Sequence, residues 1–261
     1  MNAAVQLDVQ DGVALMTLSR PETGNAVSQD VADGLLAAAL ACESDDKVRS
    51  VLLTAQGTAF CVGGDVRAFA EAGDGMPSLV RRLTASLHMA VARLARMDKP
   101  LVTAVNGAAA GAGLGLAVLG DIALAARSAK FTAAYGALGL TPDAGATWLL
   151  PRLVGLRQAQ RLLLLNDRID AVEAERIGLI TQVVEDNALA AEALERASRL
   201  AKAPRRAFGR TRGLLYAAMA NGLETQLELE AQSIAEAAGS GEGHEGVAAF
   251  VSRRSADFGS I

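Results

Sequence analysis

Apolar and polar positions alternate over Val5–Val9 and again over Val13–Leu18, on either side of Asp11-Gly12. Alternation about a turn dipeptide predicts a β-hairpin, which Arg20-Pro21 ends. Ser28 stands as an N-cap before a helical period that runs to about Ser44. Val48–Thr54 is a short apolar run suited to a strand buried on both faces. A glycine-bearing loop over Gln56–Asp65 follows, then a short helix containing Val66–Ala70. Leu79–Met97 repeats at helical spacing and is closed by Asp98-Lys99-Pro100. The order then recurs, with a strand at Leu101–Val105, a loop at Asn106–Gly111, a helix over roughly Ala112–Leu119 and a strand at Ile122–Ala125. Strands alternating with helices predict an α/β core built on a largely parallel sheet. Beyond Asp143 the pattern turns helical, over Ala144–Leu150, Arg157–Leu164, Ala171–Ile177 and nearly everything from Asn187 onward. No strong linker interrupts the chain, so this helical tail is expected to pack on the core or on a neighbouring subunit.

Leu101–Gly120 carries no charge and has Gly107, Gly111 and Gly115 at the spacing of membrane helix pairs. Pro100 and Asp121 bound it tightly, however, and Asn106-Gly107 is a turn signal. A buried strand, a tight loop and a buried helix account for it better than a membrane span. Composition agrees with a sizeable core, 51% apolar, but only 3% of residues are aromatic, so Ala, Val and Leu must fill it. The net charge of −4 and the lack of a basic tract argue against nucleic-acid binding. Arg81-Arg82, Arg205-Arg206 and Arg253-Arg254 read as solvated helix surface in preference to anion docking points. Two cysteines, Cys42 and Cys61, make no disulfide framework and no metal-ligand spacing. The start, MNAAVQLDVQ, has no apolar signal core, and a cytoplasmic protein is the expectation.

Three segments can carry chemistry. Ala59–Asp65 runs from a strand towards a helix, and its glycines permit backbone angles that expose successive N–H groups. Cys61 within it has no basic partner nearby in sequence and reads as a buried, inert thiol. Asn106–Gly115 also runs from strand into helix. It lacks the lysine of a phosphate loop and the spacing of a dinucleotide fingerprint; its small residues suit either a ligand at the backbone or close helix packing. Leu138–Gly145 sets Asp143 in an apolar stretch, as a helix N-cap or as a carboxylate available for acid/base work.

Together these residues resemble the crotonase, or enoyl-CoA hydratase/isomerase, family. The resemblance is carried by Leu18-Ser19-Arg20-Pro21 with Asn25-Ala26, by TAQGTAFCVGGDV, KPLVTAVNGAAAGAGLGLA and GLTPDAGATWLLPRLVG, and by Asp167–Ile180. It implies an α/β spiral of ββα units over residues 1–195, which binds and transforms an acyl-CoA, and a C-terminal helical region over 196–261 that builds a homotrimer or a dimer of trimers. It implies no cofactor beyond the coenzyme A of the substrate, and no metal. By motif, the thioester oxygen would lie between the backbone N–H groups of Gly64 and Ala112. Asp65, Val66 and Arg67 would follow the coenzyme A arm, with Ala26, Cys61, Gly63, Gly111 and Tyr135 completing the substrate contacts. Arg67 either meets a phosphate or stays solvated.

The chain departs from the hydratases at the two positions where they carry glutamates, which here match Gly115 and Tyr135. Asp143 instead matches a working aspartate of some isomerases and of aromatic dehalogenases. Its context looks most like the isomerases of ring-derived enoyl-CoA compounds in phenylacetate degradation, which also convert 3-enoyl-CoA to 2-enoyl-CoA. The resemblance therefore implies an isomerase in which Asp143 moves a proton from C2 to C4 of a dienolate. Dehalogenation, hydration and non-catalytic acyl-CoA binding are the alternatives. His88 falls where the dehalogenases have a functional histidine, although a plain helix-face histidine is the preferred account; His244 reads as loop.

Overall fold

A computed structural model describes residues 4–259. Strands β1 (Val5–Gln10) and β2 (Val13–Leu18) pair antiparallel, and Asp11 and Gly12 both take positive φ, the turn geometry that suits a two-residue hairpin. Helix α1 (Gln29–Ser44) starts where the Ser28 hydroxyl accepts the Val31 N–H.

Three ββα units follow. They are β3 (Ser50–Ala55), β4 (Ala59–Cys61) and α2 (Val66–Ala72); β5 (Leu101–Val105), β6 (Ala108–Ala110) and α4 (Ala112–Ala117); and β7 (Ile122–Ala126), β8 (Lys130–Thr132) and α5 (Ala146–Gln160). Helix α3 (Met76–Arg96) extends the first unit. The first strand of each unit enters a six-stranded sheet of order β1-β2-β3-β5-β7-β10, in which β10 is Gln182–Val184. The second strands form a four-stranded sheet, β4-β6-β8-β9, with β9 at Ile169–Asp170. This is the expected spiral. Two segments expected as loops, Gln56–Asp65 and Asn106–Gly111, in fact contain β4 and β6; at three residues each, these strands are too short to show a period of two.

Every residue of β5 and α4 is buried, which explains the uncharged run there, and no helix among the described residues is long and apolar enough to cross a membrane. Helix α5 breaks at Gly155, where φ is 75°, so the two helices expected there meet end to end.

After α6 (Ala171–Arg176), helix α7 (Leu189–Ala201) lays Ala193, Ala197 and Ala201 on the large sheet; residue 195 lies inside it. Helices α8 (Arg205–Ala218), α9 (Leu223–Ala238) and α10 (Gly241–Val251) extend beyond the core. Buried Arg212 fastens α8. Its guanidinium pairs with the Asp121 carboxylate at 2.7 Å and donates to the carbonyls of Leu94, Met97 and Lys99. Glu242 accepts the Arg206 and Ala207 N–H groups at the start of α8. His244 lies in the first turns of α10, not in a loop as expected.

Candidate active site

The two glycine-rich segments meet because Gly113 has no side chain. A Cβ there would fall 2.1 Å from the Cys61 carbonyl oxygen, so only glycine lets α4 press against the end of β4. Close to this contact, the N–H groups of Gly64 and Ala112 find no protein acceptor among the described residues. Ala112 is the first residue of α4, where an N–H has no partner within the helix. Both residues line one cavity of about 350 Å³ with Gly63, Gly111, Val66, Tyr135 and Asp143. Two unused donors in a largely apolar hollow are equipped to hold an oxygen that gains negative charge.

A second, more open hollow of about 510 Å³ shares Val62, Gly64 and Val66 with the first and adds Ala26, Asp65 and Arg67. The expected binding residues thus divide between two adjoining spaces. The Asp65 carboxylate is engaged as the N-cap of α2, accepting the Ala68 N–H at 3.1 Å. Arg67 is exposed. Cys61, expected among the substrate contacts, lines neither hollow; it lies fully buried beneath them, and burial pushes its thiol up to about 12.

Asp143 is delivered by a backbone that turns sharply after it, with Ala144 and Gly145 both at positive φ, and α5 starts one residue later. Its Oδ1 accepts the Tyr135 hydroxyl at 2.6 Å. Burial and the adjoining carboxylate push the Tyr135 phenol well above its usual range, so it stays a donor. Gly115 explains how this loop comes so near. A Cβ at position 115 would lie 2.6 Å from the Ala144 carbonyl oxygen and 2.9 Å from the Ala144 Cβ. The space a side chain would need at 115 is filled by the residue after Asp143.

Two further residues complete the site. His88, for which the sequence favours a plain helix-face account over its match with a functional histidine of the dehalogenases, lines the cavity with its Nε2 3.8 Å from Asp143 Oδ2. The same nitrogen accepts the Ala144 N–H at 3.3 Å, so it is directed at the backbone of the turn, and its 3.8 Å approach to Asp143 is longer than a hydrogen bond. A signal for it existed. Val80, Thr84 and His88 repeat every four residues beside the buried row Leu83, Leu87, Ala90 and Leu94, and a second row on one helix marks a second surface to face. Phe69 is the other addition. Its ring lies where a side chain at Gly64 would be, 2.8 Å from that Cβ position, and lines the same cavity.

The sequence profile of the family described as Enoyl-CoA hydratase/isomerase matches residues 8–260. The chain is 42% identical over 252 residues to the 1,2-epoxyphenylacetyl-CoA isomerase of Escherichia coli (strain K12), covering 96% of each chain. It is 33% identical to 4-chlorobenzoyl coenzyme A dehalogenase-2 of an Arthrobacter species, over 95% of this chain and 91% of that one. Its fold superposes on the crystal structure of an enoyl-CoA hydratase from Polaromonas sp. JS666 with a TM-score of 0.93, at 31% identity over 97% of this chain and 98% of the other.

Proposed function

Because the chain belongs to the enoyl-CoA hydratase/isomerase family, we propose that it shifts the double bond of an enoyl-CoA from the 3 to the 2 position, with Asp143 as the acid/base. The observation that carries this reading is that the Asp143 carboxylate shares one cavity with the free N–H groups of Gly64 and Ala112, while Gly115 and Tyr135 supply no second carboxylate. Asp143 takes a proton from C2. The electrons move onto the thioester oxygen, where the two N–H groups meet the growing charge. The protonated Asp143 then returns the proton to C4, leaving the conjugated 2-enoyl thioester. One carboxylate suffices, whereas adding water calls for groups that both position and deprotonate it. The similarity to an enzyme named for isomerising an aryl epoxide thioester supports isomerisation, and Phe69, Leu83, Leu138 and Leu140 offer an apolar wall for the acyl group.

The second hollow, with Ala26, Asp65, Val66 and Arg67, suits the coenzyme A arm. Exposed Leu223, Ile234, Val247 and Phe250 on α9 and α10 support a homotrimer or dimer of trimers, since apolar patches of this kind mark association surfaces. Acyl-CoA chemistry and two buried free thiols suit a cytoplasmic setting.

The test follows conjugated-thioester absorbance with 3-enoyl-CoA substrates. Rapid conjugation, lost by at least about a hundredfold in Asp143→Asn with coenzyme A affinity retained, is the expected result. Full activity of that variant, or fast hydration of 2-enoyl-CoA by the native protein, overturns the reading. The nearness of His88 to Asp143 favours dehalogenation as the second reading; halide release from a halobenzoyl-CoA, without any conjugation of 3-enoyl-CoA, would establish it instead.

A further inference from the structure

The two oxygens of Asp143 are not equivalent. Oδ1 accepts the Tyr135 hydroxyl at 2.6 Å, whereas Oδ2 has no hydrogen-bond donor among the described residues. His88 Nε2, 3.8 Å from Oδ2, accepts the Ala144 N–H. Among the described residues, the carboxylate also acts on the buried Cys61 thiol, whose pKa it helps to raise. Tyr135 is itself held firmly. Its carbonyl accepts the N–H groups of Leu138 and Leu140 at 3.0 and 3.1 Å, its side chain is buried, and its ring edge lies 4.0 Å from where a Cβ on Gly111 would stand.

We propose that Tyr135 is a positioning residue for the isomerisation: its hydroxyl ties Oδ1 of Asp143, fixes the plane of the carboxylate, and leaves Oδ2 as the oxygen that takes the proton from C2 and returns it to C4. This rests on Asp143 being the acid/base. A carboxylate turns easily about its terminal bond, and a hydrogen bond to one oxygen stops that rotation without consuming the other. The buried phenol keeps its proton, so the tie persists throughout the proton transfer. Tyr135, besides lining the cavity, therefore acts on the proton transfer through Asp143.

Two experiments test this. In Tyr135→Phe, kcat for 3-enoyl-CoA conjugation should fall by about tenfold to a hundredfold, as for loss of a hydrogen bond to a charged group, while KM and coenzyme A affinity change less than about threefold; a uniform structural loss would move both. An unchanged kcat overturns the proposal. The second experiment needs no turnover. The chain has two tyrosines, and Tyr216 is outside the cavity, stacked on Trp148. Tyr216→Phe protein grown on 3-fluorotyrosine therefore reports position 135 by a single fluorine resonance. Asp143→Asn should shift that resonance in the free protein, and an unmoved resonance overturns the tie even if Tyr135→Phe fails to fold. If the native protein conjugates no 3-enoyl-CoA, the isomerase reading fails and the proposal with it, while the fluorine signal still reports whether the tie exists.

Discussion

Replacing Gly115 with alanine adds one methyl group to a position where the structure leaves no room. The new Cβ would sit 2.6 Å from the Ala144 carbonyl oxygen, whereas ordinary contact begins at 3.4 Å. Something must therefore give by about 0.8 Å. Helix α4 is buried along its whole length and wedged against β4, so the 143–145 turn is the part that yields. Two terms oppose each other in stability. Overpacking of this size costs about 1–3 kcal/mol, and exchanging glycine for alanine in a helix returns about 1 kcal/mol. The net is a loss of about 0–2 kcal/mol, or a fall in Tm of at most about 8 °C. Activity is expected to suffer more. A displacement near 1 Å of the residue beside the proposed acid/base costs on the order of a hundredfold in rate. Thermal unfolding, coenzyme A binding and 3-enoyl-CoA conjugation measured on one preparation separate these effects. The expected pattern is a small drop in Tm, intact binding and a large drop in kcat. A Gly115→Ala protein with native kcat would refute the claim that Ala144 occupies that space and that the turn sets Asp143.

Two further outcomes follow from the fold. Arg212→Ala leaves Asp121 and three carbonyls without their partner, and breaking a buried pair costs about 3–5 kcal/mol; Tm should drop by roughly 6 °C or more, and a shift below about 2 °C would contradict that anchoring role. Glu173, held well below its ordinary range at about 2 first by its hydrogen bond to Arg176 and then by Arg161, has a depressed folded-state value. Its contribution to stability is thus present above about pH 4.5 and lost as pH falls towards 2. Glu173→Gln should flatten the pH dependence of denaturant midpoints in that acidic window while leaving their slope near pH 7 unchanged, and an unaltered acid profile would count against the pairing.

Elements with a long side-chain period were legible before any coordinates. The hairpin, α1 with its Ser28 cap, α3 and the buried strand β5 all lie where alternation or helical spacing puts them. The two glycine segments and Asp143 were legible as chemistry, because glycine and an isolated carboxylate in an apolar setting are conspicuous in any fold. The strands β4, β6, β8 and β9 were not. They have two or three residues each and are defined by backbone pairing to segments far along the chain, such as Ala59 with Ala108 and Phe131 with Ile169.

The sequence by itself thus determined the class of fold and made the two glycine-rich segments and the isolated Asp143 carboxylate conspicuous, since these depend on local backbone freedom and on side-chain type. Only the tertiary structure decided what surrounds that carboxylate. His88 reaches it from a helix 56 residues before Ala144; Tyr135 points its hydroxyl at Oδ1 because its backbone is locked in a turn; Phe69 fills the space Gly64 leaves open. Each of these contacts depends on how two elements cross, and a crossing is set by packing across the whole core, which no window of neighbouring residues records.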